Sequence, residues 1–232
     1  MYKTINTFLL SLLFYYSYSQ AGKITVIIPD CGVDSQWKEI KTDVNKVYWG
    51  VYEEKKYHNW GNFLIKKYDN TKSTIPKFLI KGLNLKDSIF TTGKWINRML
   101  YPAESITFSV YNIEDEENSK NYFLYAKGNI IETEKGEFPY FKKIKNYELV
   151  VDSYNDNTRQ TIRKMDLFSF PSGGFEGGVF IHWIGDLNCD KLLDMLIGTS
   201  EHYAGSTLSL FLSDNISKEL FKEYKVGGCS WD

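Results

Sequence analysis

The sequence predicts a mostly β protein: an antiparallel β-sandwich or barrel-like module with a smaller N-terminal β unit. Three observations carry that expectation. Aromatic residues make up 16% of the chain, with 17 Tyr, 15 Phe and 6 Trp, and such rings suit a pleated, half-buried surface. Ile106, Phe108 and Val110 alternate with Thr107 and Ser109, the period of a strand with one buried face. Turn residues recur between apolar runs at a spacing of about ten residues, as in sandwiches and barrels.

The elements follow in order. Ile24 to Ile28 is a β-branched run that stops at Pro29-Asp30-Cys31-Gly32, a first strand and its turn. From Trp37 to Trp60 two periods compete. Trp37, Ile40, Val44, Val47 and Val51 fit helical spacing, whereas Val47-Tyr48-Trp49-Gly50-Val51-Tyr52 fits a strand better. The expectation is a short helix or irregular segment, then a strand. Phe63-Leu64-Ile65 and Phe78-Leu79-Ile80 are further strands, with Asp69-Asn70-Thr71-Lys72-Ser73 as a loop between them. Tyr101-Pro102-Ala103-Glu104-Ser105 is a turn into the alternating run. Glu114 to Asn121 reads as a polar connection, and Tyr122 to Ala126 as a strand ending at Lys127-Gly128. Tyr147 to Val151 is another strand. Ser153-Tyr154-Asn155-Asp156-Asn157 is a hairpin turn, from which Thr158 to Leu167 returns as the partner strand. A boundary near residue 96 divides a 20–95 unit from a 96–232 module, with one continuous fold as the alternative.

The net charge of −1 over 232 residues gives no basic surface for nucleic acid. Lys3, an apolar stretch from Phe8 to Tyr16 and the small residues Ser17 and Ser19 have the three-part layout of a secretory signal peptide over 1–19. The apolar core falls short of the roughly 20 residues a membrane helix needs. The mature chain is expected to be secreted, periplasmic or at the cell surface, with no membrane span. Three cysteines remain in it, Cys31, Cys189 and Cys229. They allow one disulfide and one free thiol. The favoured pairing is Cys31 with Cys229, since both sit beside glycines near the ends of the mature chain.

The chemistry concentrates in Ile181-His182-Trp183-Ile184-Gly185-Asp186-Leu187-Asn188-Cys189-Asp190-Lys191-Leu192-Leu193-Asp194-Met195-Leu196-Ile197. Asp186, Asn188, Asp190 and Asp194 place hard oxygens at alternate positions of a loop between two apolar strands, and the carbonyl of Leu192 adds another. Calcium takes six to eight such ligands at roughly 2.3–2.6 Å. The plainer reading is a polar turn with coincidental acids. An EF-hand is excluded, because the positions that need Gly and Glu hold Lys191 and Ile197. The stretch from Gly185 to Ile197 resembles the calcium loop of FG-GAP (integrin α-type) repeats, G-D-x-N-x-D-G-x-x-D. The wider stretch from about Pro102 to Cys229 resembles uncharacterised exported proteins with one such loop. The resemblance implies Ca²⁺ held by Asp186, Asn188, Asp190, Leu192 and Asp194. Lys191 stands where the pattern has Gly, at a position that favours positive φ.

Other candidates are fewer. His182 and Glu201-His202 flank the loop's strands, as a second metal or acid–base pair or as a plain surface pair. Gly173 to Gly178 is a hairpin loop with Phe175 at its tip. It lacks the lysine of a phosphate loop. Trp37, Trp49, Trp60 and Trp95 either stack on sugar rings or fill a core. The expectation is a calcium-stabilised, non-catalytic exported module that binds a protein or glycan ligand or serves cell-surface structure. The alternative is a secreted hydrolase of glycans or peptides that uses Glu176, His182 and Glu201.

Overall fold

The computed structural model describes residues 23–29, 31, 40, 47–54, 62–112, 115–133, 141–168, 177–202, 205–213 and 219–230. The expected signal segment 1–19, Trp37, Trp60 and the glycine-rich stretch with Phe175 and Glu176 lie outside them.

Among these residues the protein is nearly all β. The first strands are β1 (Thr25–Ile27), β2 (Trp49–Glu54), β3 (Asn62–Lys67), β4 (Phe78–Lys81) and β5 (Ile89–Met99). There follow β6 (Ser105–Asn112), β7 (Asp115–Thr133), β8 (Phe141–Ser153) and β9 (Thr158–Phe168). The last are β10 (Gly178–Gly185), β11 (Asp194–His202), β12 (Gly205–Ser213) and β13 (Phe221–Ser230). They form a nine-stranded antiparallel sheet in the order β1-β4-β2-β3-β5-β10-β11-β12-β13 and a four-stranded meander, β6-β7-β8-β9. The barrel-like alternative is the one the nine-stranded sheet takes.

That sheet nearly closes on itself. A Cβ added at Gly227 on β13 would come within 2.7 Å of the Val26 carbonyl oxygen on β1. Its interior is one apolar cluster fed from around the sheet: Val26, Val51, Phe63, Ile65, Phe78, Ile80, Trp183, Leu196, Leu208, Leu210 and Val226. Trp49 and Trp95 join this cluster, the first buried and the second partly so. These two tryptophans are therefore core, not a sugar platform. The Trp183 indole lies across the paired Gly93 and Gly185, where any Cβ would collide with the ring.

The four-stranded sheet packs its inner face on the outer face of β10–β13. Phe108, Leu124, Tyr147, Leu149 and Val151 meet Ile181, Met195, Ile197, Phe211 and Phe221 in a second cluster. Strand β11 therefore alternates between two cores, with Met195 and Ile197 outward and Leu196 inward. Arg163 of β9 ties the layers together beside this core. It donates to Thr199 Oγ1 at 2.9 Å, Ser209 Oγ at 2.9 Å and Glu223 Oε1 at 2.5 Å.

Several expectations change in detail. Residues 115–121 form strand, not a connection, because Lys120 and Asn121 pair with Val110 and Ser109. Strand β7 also runs on past Gly128 to Thr133, with a bulge between Lys127 and Asn129 that absorbs the break. Strand β5 crosses residue 96, pairing with β3 through its first half and with β10 through its second. Cys31 is disulfide-bonded and Cys189 is a free thiol. This rules out both pairings that use Cys189. The Cys229 sulfur lies outside the described residues.

Candidate metal centre

Strands β10 and β11 pair antiparallel from Gly178↔Ser200 to Gly185↔Asp194, so residues 186–193 connect neighbouring strand ends. Two residues in the left-handed region curl this connection: Cys189 (φ 62°) and Lys191 (φ 69°). The sequence pattern anticipated the second, since glycine is usual there. Apolar side chains pin the curl from both sides. Leu187 enters the barrel interior, and Leu193 enters the core between the sheets. The Asp186 amide donates to the Thr92 carbonyl at 3.1 Å, and the Thr91 hydroxyl donates to the Asp186 carbonyl.

The predicted ligand residues lie on this one curl. Asp194 is fully buried. Its Oδ2 accepts from the Leu187 amide at 2.7 Å and the Asn188 amide at 3.4 Å. Its Oδ1 accepts from the Ser213 amide at 2.9 Å and lies 3.2 Å from the Ser213 hydroxyl oxygen. Asp186 is also buried. It accepts from the Asp190 and Lys191 amides, each at 3.0 Å. Asp190 accepts from the Leu192 amide at 2.9 Å, the Asn188 side-chain amide at 3.0 Å and the Ser213 hydroxyl at 2.9 Å. The loop thus satisfies its own backbone donors with its own carboxylates, which a tight buried turn requires.

Burial, opposed in part by these hydrogen bonds, pushes the Asp186 carboxyl up to about 6, and the Asp190 charge adds to the rise. Burial likewise holds Asp194 well above the usual carboxylate range. Deprotonated together, the acids would place excess negative charge between two apolar cores. The donor chemistry suits a hard cation, because the acids and Asn188 all offer oxygen. As they stand, the oxygens face N–H and O–H donors. Among the described residues no three His, Cys, Asp or Glu side chains form a group arranged to hold a metal.

Sequence reasoning missed three partners of the loop. Ser213, at the end of β12, reaches both Asp190 and Asp194. Tyr122, from the four-stranded sheet, lies with its hydroxyl 3.4 Å from the Leu193 amide. Thr91 belongs to β5. None of these has a local signal, since each meets the loop only through the strand order.

His182 sits at the bulge where β10 shifts register between Ile181 and Trp183. It is buried, which corrects the surface-pair reading. Its Nδ1 lies 2.8 Å from Asn97 Oδ1, and Nε2 has no hydrogen-bond partner. Desolvation pushes the imidazole down to about 4. The side chains of Glu201 and His202 lie outside the described residues, as does Glu176. Compared with known protein families, curated proteins and solved structures, the chain matches none.

Proposed function

We propose that the chain is an exported, non-catalytic β module whose acidic loop takes a structural calcium ion in the manner of an FG-GAP loop. It serves binding or cell-surface structure. The observation that carries this reading is the pairing of two buried carboxylates, Asp186 and Asp194, on one short loop. Their charges repel, and their pKa values are raised by burial. A divalent cation relieves both penalties at once. Asp186, Asn188, Asp190, the Leu192 carbonyl and Asp194 would hold it, after some of their oxygens turn from the backbone donors they now accept from. The enclosed, charge-averse His182 offers no exposed base for the hydrolase alternative.

The test is a melting curve in calcium and in excess chelator. At ten times its dissociation constant the ion adds about 1.4 kcal/mol, a rise in Tm of about 3–6 °C for a chain of this size. Asp190→Ala is expected to abolish that rise. An unchanged curve in chelator would remove the calcium reading.

A further inference from the structure

The four-stranded sheet buries one face and leaves the other to solvent. On β7 the residues Tyr122 and Leu124 enter the core, so Phe123 and Tyr125 take the outer face. Register places Phe123 opposite Asp152 and Asp152 opposite Arg159, one row across β7, β8 and β9. The Phe123 and Tyr125 rings stack with centroids 5.3 Å apart and planes at 28°. Tyr154, at the hairpin end of the same face, lies 6.4 Å from Phe123 and is 63% exposed. Beside it, Asp152, Ser153, Tyr154, Asn157, Thr158 and Arg159 line a pocket of about 410 Å³.

This corner is built rigidly. Arg159 meets Asp152 as a fork, with Nε to Oδ1 at 2.7 Å and Nη2 to Oδ2 at 2.8 Å. Its guanidinium carbon lies 6.0 Å from the Tyr125 ring centroid. The hairpin tip is tied down on β7. The Tyr154 amide donates to the Asn121 carbonyl at 3.0 Å, and the Asn121 amide donates to Asn155 Oδ1 at 2.8 Å. Lys120 pairs with Asp156 at 3.3 Å, and Ser153 Oγ donates to Asp156 at 3.0 Å. An exposed tyrosine on a backbone tied to the neighbouring strand, beside a preset polar fork, loses little backbone entropy on meeting a ligand.

We propose that this corner binds a neutral saccharide, with Tyr154 stacking on one face of a sugar ring and the Asp152–Arg159 fork taking its hydroxyls. The proposal names a ligand class for the binding reading above and rests on it, but does not need the calcium loop. Charge selects the class. Each ionic group at the pocket is matched, Arg159 with Asp152 and Lys120 with Asp156, so no net charge attracts a phosphate or polyanion. A pyranose has apolar C–H faces and a rim of hydroxyls that both donate and accept. The ring of Tyr154 suits the faces. Asp152 accepts hydroxyl protons, while the remaining Arg159 N–H groups donate to hydroxyl oxygens.

Binding of cellohexaose, xylohexaose, mannohexaose and chitohexaose to the full-length protein, by calorimetry with and without calcium, tests this. At least one should bind, and Tyr154→Ala should weaken it about tenfold or more, equivalent to about 1.4 kcal/mol. Arg159→Lys keeps the charge but loses the fork, and should weaken the same sugar. Phe90→Ala, at an exposed ring on the barrel, should leave affinity unchanged. Failure of all four sugars to bind at millimolar concentration overturns the proposal, as does affinity indifferent to both pocket variants, or capture of a protein partner through Tyr154 without sugar binding. Sugar binding with a chelator-insensitive melt sinks only the calcium reading, and the converse result sinks only this one.

Discussion

Strands β10–β12 and strands β7–β9 are all antiparallel, yet they live in different surroundings. In the first group successive residues enter different cores: Met195, Leu196 and Ile197 are all fully buried. In the second group one face is buried and the other, apart from the covered Val150, carries the partly exposed Asp152 and the exposed Arg159 and Tyr154. The sequences reflect this. Strand β11 carries the consecutive apolar residues Met195, Leu196 and Ile197, as strands covered on both faces do, while β9 opens on four polar residues, Thr158 to Thr161. A shared wall between two cores has no tolerant side, whereas the outer sheet has one free to carry recognition chemistry.

The largest expected effect is at the wall. Trp183→Ala should remove about 3–5 kcal/mol, because the ring is fully buried and contacts Phe63 and Phe78 edge-on. Thr161→Ala on the outer sheet face should stay within about 0.5 kcal/mol. Urea unfolding of both variants breaks the comparison if the two losses are similar.

The second effect is a pH dependence at the same wall. His182 has a folded pKa of about 4, below its ordinary 6.5, so between those values the unfolded chain binds the extra proton. Stability from this residue is complete above pH 6.5 and is lost as pH falls towards 4, by roughly 3 kcal/mol. His182→Gln should lower the slope of stability against pH over that window, since it removes a contribution that rises with pH. The raised Asp186 and Asp194 act with the opposite sign, but equally in both proteins. Equal slopes for wild type and variant would show that the wall does not hold a neutral imidazole.

The smallest effect lies in the loop that caps the wall. Lys191 holds φ 69°, which Gly adopts without a Cβ clash. Lys191→Gly should raise stability by about 0.5–1 kcal/mol, read as a higher urea midpoint at an unchanged slope. A loss would mean that the lysine side chain contributes more than its backbone costs.

The local pattern made much of this legible. The Ser153 to Asn157 turn with its returning strand and the apolar runs on either side of the loop follow from residues a few places apart. Strand β5 was missed because Thr91, Thr92, Gly93 and Lys94 break any apolar period, and pairing on both edges overrides that weak propensity. The acidic start of β7 was misread for the same reason, since cross-strand hydrogen bonds outweigh polarity.

By itself, then, the sequence determined the fold class, the hairpins and the oxygen-rich composition of the loop, because these depend on side-chain period and turn chemistry over short spans. Tertiary structure alone decided that β10–β12 form a wall between two cores, that Ser213 and Tyr122 reach the loop, and that Phe123, Tyr125, Tyr154 and Arg159 share one corner. Strand order brings together residues that no local period relates. Two-sided burial then sets which charges remain bearable and which face stays free to bind.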